Sequence, residues 1–490
     1  MERLNEKNKV LIISGIWGSG SLLGGVKFIN KYYAVGMSNQ YCQQIAKPGQ
    51  IFYAIIAFSF AVMLIYLFCS FIWKAVFSHG EERKICLYAL PFFVVLAVSL
   101  VSEISIKGLG GGYYTGDEKN IWDAAVRLYP FFFVYTSEIF LICFFIFPVV
   151  MAPSIVKIAV CSFVFGYTIR RIKRFYKTDL AFALYGLCII RPVYEMGIRV
   201  HRMHWYGILY LFFVVKVYFD SKEEDQTYTV WTVIFLSVIS AVLTVLRREG
   251  MYLFVFGAIM MVLAYAKDKG IIKRKLIYKV LIPFVLIEIL FYIPALKNGF
   301  GEKSTTYRAY FVHMLGEKSF DRALVAEELR TADQFMNIEI IDKYNRDLGI
   351  EGFADCMYDW PGWRDGSYYS FRPHSAVSSD EFAKSVVEII KKEPVVFAKS
   401  RIRAFCAAAY RANSYNLFLP LFMLIIIMGY SILKKDKQLE VISSGVLIHT
   451  GITALTMPAS YFIYFYQMML FSYFFIVVIL IDLHLNSKAH

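Results

Sequence analysis

The chain has 490 residues, of which 58% are hydrophobic and 18% aromatic, and its mean hydropathy is +0.52. This composition excludes a soluble globular protein and predicts an all-α polytopic membrane protein. The formal charge of +14 lies in short lysine and arginine clusters beside apolar runs, the pattern of cytoplasmic loops and not of a nucleic-acid-binding surface. The eight cysteines are scattered without metal-ligand spacing.

About twelve membrane crossings are predicted, because roughly 20 apolar residues span a hydrocarbon core of about 30 Å. We interpret the apolar run from Phe131 to Ile169, which contains Pro148 and Pro153, as one broken or tilted helix. The other crossings before the large polar segment are predicted near Lys9–Ile29, Ile51–Trp73, Ile85–Ile104, Asp179–Arg199, His204–Phe219, Val230–Leu246, Tyr252–Ala266 and Leu276–Leu296. Three more follow, the first of them near Tyr415–Leu433.

The distribution of basic residues predicts three regions and their sides. Residues 1–296 form a transmembrane module with an outer catalytic loop at 105–135. Residues 297–414 form a mainly helical extracytoplasmic domain between the ninth and tenth helices, and 415–490 hold the C-terminal transmembrane helices and a short cytoplasmic tail. We therefore expect an integral protein of a bacterial-type plasma membrane with both termini in the cytoplasm.

Three helices are predicted in the extracytoplasmic domain. One covers about Phe320–Arg346, and the next is opened by a capping box at Ser378–Glu381 and closed by Pro394. The third, Val395–Ala412, is predicted to be a basic amphipathic helix in the headgroup layer. Its apolar and basic positions are Phe397, Ile402, Phe405 and Tyr410, and Lys399, Arg401, Arg403 and Arg411, respectively.

The polar interval at 105–135 carries carboxylates between two long apolar stretches, and charge in such a place is retained when it is used. Glycines at 108 and 110–112 allow a tight turn, and Asp117 and Glu118 then begin a helix that continues to Leu128. We expect this helix to lie amphipathically at the membrane surface, with Asp117 facing a cavity. The alternative is that Asp117 only caps the helix.

Two cationic turns are predicted on the same outer side, against the usual charge bias. Arginine suits phosphate because its planar fork donates two parallel hydrogen bonds. The candidate ligands of a lipid phosphate are Arg199, Arg202, Arg247 and Arg248. Candidates for lining a cavity or holding an acceptor are Arg191, Glu195, His201, His204, Tyr358, Trp360 and Trp363. Arg191 and Glu195 are one helical turn apart and alternatively pair with each other.

The acidic pair in TGDEKNIWDAAVRLYP, the many-helix body and the polar outer portion together resemble the GT-C class of membrane glycosyltransferases. The resemblance implies transfer of a sugar from a polyprenyl-phosphate donor to a glycan, lipid or protein acceptor of the cell envelope. It implies that Asp117 is the general base of an inverting reaction and that Glu118 assists, holds the acceptor or, with Asp117, binds a divalent cation (Mg²⁺ or Mn²⁺). Here about three crossings precede the acidic loop, whereas one does in many members, and the outer domain is not C-terminal.

Two other functions remain open. In a polysaccharide polymerase or an enzyme like O-antigen ligase, Arg202, His204, Arg247 and Arg248 would be essential and Asp117 expendable. A transporter or a flippase for lipid-linked oligosaccharides is the third possibility. The sequence shows no repeated halves, and its large outer segment has little use in a flippase.

Overall fold

The computed structural model describes residues 6–33, 47–77, 80–107, 116–128, 133–223, 229–268, 271–297, 303–343, 345–346, 377–410, 416–457 and 461–487. Within these ranges the fold is helical, apart from one antiparallel pair of two-residue strands, β1 (Lys267–Asp268) and β2 (Ile271–Ile272). The chain divides into two compact units. They consist of Met1–Asn298, Met423–Gly445 and Leu470–His490 in the first, and Gly299–Phe422 and Val446–Met469 in the second.

In chain order, the helices within the first segment of the first unit are α1 Glu6–Tyr33, α2 Lys47–Phe77, α3 Glu81–Lys107, α4 Gly116–Val126, α5 Phe133–Ile146, α6 Ala152–Tyr176, α7 Arg191–Ile198, α8 Arg202–Lys222, α9 Val230–Leu246, α10 Leu253–Tyr265 and α11 Arg274–Lys297. The later helices are α12 Lys303–Leu315, α13 Ala326–Phe335, α14 Ser379–Lys392, α15 Pro394–Tyr410, α16 Phe418–Leu433, α17 Lys437–Thr456 and α18 Tyr466–Ser487. Shorter 3₁₀ helices are Asp179–Ile189, Arg248–Tyr252 and Phe462–Phe465.

Seven of the described helices are long and apolar enough to cross a membrane. An eighth span results if the 3₁₀ helix at 179–189 and α7, which meet at a bend of 74°, are counted together. Four further apolar helices have only 10–17 residues, less than a bilayer core requires. The prediction of an all-α membrane protein is thus confirmed, whereas the finer count of twelve crossings stays a prediction.

The run interpreted as one broken helix from Phe131 to Ile169 is instead two helices, α5 and α6, joined by a turn at 147–151. Pro148 lies in the turn and Pro153 in the first turn of α6, where its missing N–H is not needed. The carbonyl of Ile146 accepts hydrogen bonds from Trp17 Nε1 (3.1 Å) and Ser21 Oγ (3.3 Å) of α1. The break is therefore stabilised by a distant helix, which the local sequence does not reveal.

Helices α3 and α6 pack closely along their lengths in the first unit. A Cβ atom on Gly166 would lie 2.6 Å from the backbone nitrogen of Ala89. Arg170, late in α6, forms a bidentate ion pair with Glu81, the first residue of α3, so the two helices are antiparallel. We call the end of the first unit with Glu81 and Arg170 the basic end. Lys157 lies about 20 Å away along α6, at what we call the α4 end.

The end of α8 also lies at the basic end. Asp220 pairs with Arg171 (2.8 Å) of α6 and with Lys216 (2.8 Å), and it accepts a hydrogen bond from Tyr265 at the end of α10. Since α8 begins at Arg202 and is about 30 Å long, its first turn lies at the α4 end.

The second unit has a hydrophobic core of its own between α12, α13, α14 and α15, centred on Phe311, Phe335 and Phe382. The predicted capping box is present: Ser378 Oγ accepts from Glu381 N–H, and the Glu381 carboxylate accepts from Ser378 N–H. The continuous helix predicted for Phe320–Arg346 was wrong. Helix α13 stops at Phe335, because Asn337 Oδ1 caps a new helical stretch by accepting from Glu339 N (3.1 Å).

Arg401 on α15 does not face a headgroup layer as predicted. Its side chain is buried, and its guanidinium donates to Met457 O (2.8 Å), contacts His313 Nδ1 (3.0 Å) and lies 5.2 Å from the centre of the Tyr310 ring. The exposed residues of the same helix include Ile402, at 64%. The alternation predicted the helix, and Lys399 and Arg403 are exposed as expected, but it did not predict the burial of Arg401.

We expect Gly166→Ala to destabilise the protein by about 1–3 kcal/mol, because the new methyl group would push α6 away from the α3 backbone. Gly429→Ala is the matched control, since a Cβ atom there meets nothing within 4 Å; alanine should leave stability unchanged or raise it by up to about 1 kcal/mol. Thermal unfolding of both variants in detergent measures the difference. Equal losses would contradict the close approach of the two helices.

His313 should make the second unit sensitive to acid. Burial, followed by the charge of Arg401, lowers its pKa to about 3, so between pH 6.5 and 3 the unfolded chain binds a proton that the folded chain does not. This proton therefore has no effect on the free energy of unfolding above pH 6.5. Below that, the free energy of unfolding falls by up to about 1.4 kcal/mol for each pH unit. His313→Gln, which keeps an acceptor but does not titrate, should reduce the loss of thermal stability between pH 7.5 and 5. An unchanged loss would contradict this assignment.

Candidate active site at the α4 end

Helix α4 lies inside the first unit. Trp122 is fully buried, its ring 6.0 Å from that of Phe28 in α1 and 5.6 Å from that of Phe144 in α5. All residues from 121 to 126 are buried, so the prediction of an amphipathic surface helix was wrong for this stretch. Glu118, in the first turn, is also buried, at 1% exposure. The helix therefore holds a carboxylate within the protein.

Several predicted residues fall outside the described side chains. Asp117 is the second residue of α4, and Arg248 begins a 3₁₀ helix, but for both of them only the backbone is described. Tyr358, Trp360 and Trp363 lie outside the described residues, as does the glycine turn at 108–112. Their assigned roles stay predictions.

Lys157 of α6 is fully buried, and it lies within electrostatic range of Glu118 on the acidic helix. Its ammonium donates hydrogen bonds to the carbonyls of Met196 and Arg199, and the charges of Glu118 and Arg199 both act on it. Buried charges are costly unless paired and hydrogen-bonded, so Lys157 fixes the positions of the groups around it. Lys157 is not among the residues predicted for the site, although a lone lysine in the apolar run APSIVKIAV indicates a functional position.

Lys157 acts on α7 at its C-terminal end, where helix carbonyls lack partners and a positive charge is favourable. Helix α7 also lies tightly against α3, because a Cβ atom on Gly197 would approach Leu96 Cδ2 to 2.7 Å. The 74° bend before α7 thus delivers the Arg199 carbonyl to Lys157.

Arg191, Glu195 and Arg199 form a chain of ion pairs along α7. Glu195 pairs with Arg191 (3.0 Å), as its spacing predicted, and also with Arg199 (2.7 Å). Two guanidinium groups share one carboxylate, so the group carries a formal excess of one positive charge. The side chains of Arg191 and Arg199 are 57% and 31% exposed, respectively. They are therefore accessible to an anionic ligand.

The first turn of α8 adds two histidines. His201 Nδ1 accepts from the backbone N–H of Met203 (3.3 Å) and caps the helix. His204 is buried, with its ring centre 5.7 Å from that of His201, and it lies within electrostatic range of Lys157 and Arg199. Arg202, between them, is partly buried. These residues join the cluster that contains Glu118.

Arg247 was predicted to face outward as a phosphate clamp, but its side chain is 1% exposed. Its Nε lies 3.2 Å from Glu249 Oε2, and its guanidinium lies 5.4 Å from the centre of the Tyr206 ring. Gly250 permits this compact turn, because a Cβ atom there would lie 2.4 Å from Leu243 O. The prediction of an open clamp was wrong, although Tyr206 still places Arg247 beside the first turns of α8.

An apolar cavity of about 370 Å³ adjoins the Arg247 turn within the first unit. Its residues come from the end of α9, the start of α10 and the end of α11. They are Thr244, Met251, Phe254, Ile289, Tyr292 and Ile293. Thr244 and Met251 flank Arg247 in sequence, so an apolar chain in this cavity would have a cationic turn at its side.

Among the described side chains, no group of three or more His, Cys, Asp or Glu residues is arranged to hold a metal ion. The proposed divalent cation at Asp117 and Glu118 stays a prediction.

The pair of Glu118 and Lys157 should be energetically coupled. Removing one charge leaves the other buried without its neighbour, whereas removing both restores neutrality. We expect Glu118→Gln and Lys157→Met each to lower thermal stability. The double variant should lose about 0.5–3 kcal/mol less than the sum of the single variants. Additive losses in a double-mutant cycle would show that the two charges do not interact.

Comparison of the chain with protein-family models, with curated proteins and with solved structures found no match.

Proposed function

We propose that this protein is a membrane glycosyltransferase that moves a sugar from a polyprenyl-phosphate donor to a glycan, lipid or protein acceptor. The observation that carries the proposal is the convergence of the acidic start of α4 with Lys157, Arg199, His201 and His204 at one end of the first unit. Ionisable residues inside a membrane protein mark functional sites by default. This cluster combines groups that accept a proton with groups that bind an anion.

In the proposed reaction, Asp117 accepts the proton of an acceptor hydroxyl. The hydroxyl oxygen forms a bond to the anomeric carbon, with inversion, as the bond from that carbon to the phosphate oxygen breaks. The released electron pair stays on the polyprenyl phosphate. Positioned base catalysis typically contributes about 10²–10⁴-fold, and Glu118 positions the start of α4 through its interaction with Lys157.

The leaving phosphate is stabilised by Arg199, assisted by Arg191. Both are partly exposed, and arginine matches phosphate oxygens in pairs. A preorganised cation at the leaving group lowers the barrier because the negative charge develops there during transfer. The apolar cavity beside Arg247 is suited to the first isoprene units of the donor. We derive no step through a metal ion.

The orientation completes the proposal. The cationic side chains of Arg170, Arg171 and Lys222 gather at the basic end, which the positive-inside bias assigns to the cytoplasm. The α4 end then faces outward in a bacterial-type plasma membrane, and the termini are cytoplasmic. Transfer would build an envelope polysaccharide or a related glycoconjugate on the outer face.

One observation favours a second candidate, an enzyme like O-antigen ligase or a polysaccharide polymerase. Arg247 and His204 are among the most enclosed charged or titratable side chains of the α4 end, at 1% and 2% exposure. In such an enzyme they, with Arg202 and Arg248, would carry the reaction and Asp117 would not. A lipid-linked oligosaccharide flippase is the remaining alternative.

Asp117→Asn separates these functions without a change in side-chain size. For the proposed transferase, turnover of a polyprenyl-phosphate sugar should fall by about 10²-fold or more, with donor binding and thermal stability retained. The measurement is the rate of sugar transfer from the donor to the acceptor, with the protein in liposomes.

Lys119→Gln is the control, because it changes a partly buried charge two residues along α4 and should keep most of the activity. If Asp117→Asn keeps full activity while Arg247→Gln or His204→Gln abolishes it, the ligase-like function is correct and the proposed base is wrong.

A further inference from the structure

A second cavity, which is polar, lies at the basic end of the first unit, remote from the α4 end. Its volume is about 230 Å³. It is bounded by the ends of α8 and α10, by β1 and by the turn between α16 and α17. The residues around it are Ser221, Lys222, Leu263, Lys267, Lys435, Asp436, Lys437 and Gln438.

Four lysines and one aspartate give this cavity a formal excess of three positive charges. The aspartate is already engaged. Asp436 Oδ2 lies 2.6 Å from Lys222 Nζ and accepts from Tyr218 OH (3.3 Å), while Oδ1 accepts from the backbone N–H of Leu439 (3.2 Å). Lys437 pairs with Glu440 (2.7 Å). Asp436 is thus engaged by Lys222, by Tyr218 and by the start of α17, and its single negative charge, which also acts on Lys267, does not balance the four lysines.

The other two lysines of the cavity are Lys267 and Lys435. Within the described part of the chain, no carboxylate forms an ion pair with either of them. Burial, and then the neighbouring charge of Lys222, lowers the pKa of Lys267. The folded chain thus holds like charges together at a cost that an anion in the cavity would remove.

The backbone at Lys435 is a second sign that this lysine is retained for its side chain. Its φ angle is 54°, in the left-handed region. This position follows the last turn of α16, where its N–H donates to Ile432 O, and glycine is the usual residue at such a helix end. A non-glycine residue is strained in this conformation, because its Cβ atom crowds the neighbouring carbonyl oxygen. The strain places a lysine where glycine would fit better.

We infer that this cavity binds a phosphoryl anion. Lysine ammonium groups bind phosphate as compact point charges, and three of them from separate segments surround one small space. Helix α17 contributes the positive end of its dipole, because it begins at Lys437. Basic pockets between membrane helices are typical sites for the headgroups of anionic lipids. The same phosphoryl chemistry is offered by free phosphate.

The test uses the purified full chain in detergent, with thermal stability followed as anions are added. Phosphatidylglycerol and inorganic phosphate are the two probes, with phosphatidylcholine and chloride at equal ionic strength as their controls. We expect saturable stabilisation by phosphatidylglycerol, by inorganic phosphate or by both. Lys267→Gln with Lys435→Gln should weaken the apparent affinity about thirtyfold, the value expected for two lysine charges near a headgroup.

Lys275→Gln with Lys434→Gln is the matched control, since both are exposed lysines of the first unit that do not line the cavity. Should the first double variant fold poorly, Lys267→Gln with Lys435→Gly removes the same charges and also the left-handed strain. Stabilisation by phosphatidylglycerol alone assigns the site to a lipid headgroup, and competition by phosphate extends it to free phosphoryl groups. No saturable binding, or equal losses in the cavity and control variants, would overturn the inference.

Discussion

The charge of Lys157 is the constraint on which the α4 end depends. An ammonium group inside a membrane protein costs several kcal/mol unless hydrogen bonds and opposite charge compensate it. The carbonyls of Met196 and Arg199 accept the hydrogen bonds of this ammonium group, and Glu118 provides the opposite charge. These groups come from α4, α7 and the residue after α7. One side chain of α6 therefore fixes the positions of the elements that carry the candidate catalytic and anion-binding residues.

The two ends of the first unit carry different kinds of charge. At the α4 end, the buried side chains of Glu118, Lys157 and His204 lie within electrostatic range of one another or of Arg199. At the basic end, the cavity between Lys222, Lys267 and Lys435 keeps an excess of positive charge. Helix α8 joins the two, because it begins beside His201 and ends at Lys222. About 30 Å of helix separates the two ends, so no side chain of one end contacts a ligand at the other.

The sequence predicted helices well and side-chain environments poorly. Hydropathy gave the bounds of α9 correctly, and the capping box gave the start of α14, because both depend on nearby residues. The break between α5 and α6 depends on Trp17 and Ser21, more than a hundred residues away. For the same reason the predicted exposure of Arg247 and Arg401 was wrong. Each is enclosed by groups that are distant in sequence or lie beyond a turn.

The burial of Arg247 bears on how a phosphate could be held at the α4 end. Its guanidinium is covered by Glu249 and Tyr206, so a phosphate would have to displace the Glu249 carboxylate to reach it. Arg199 is also paired with a carboxylate, that of Glu195 (2.7 Å), but its side chain is 31% exposed, so a ligand can approach it from outside without displacing that carboxylate. An incoming lipid phosphate would therefore meet Arg199 first. Arg247 would then act by keeping Tyr206 and the start of α8 in place, and it would contact the ligand only if Glu249 moved.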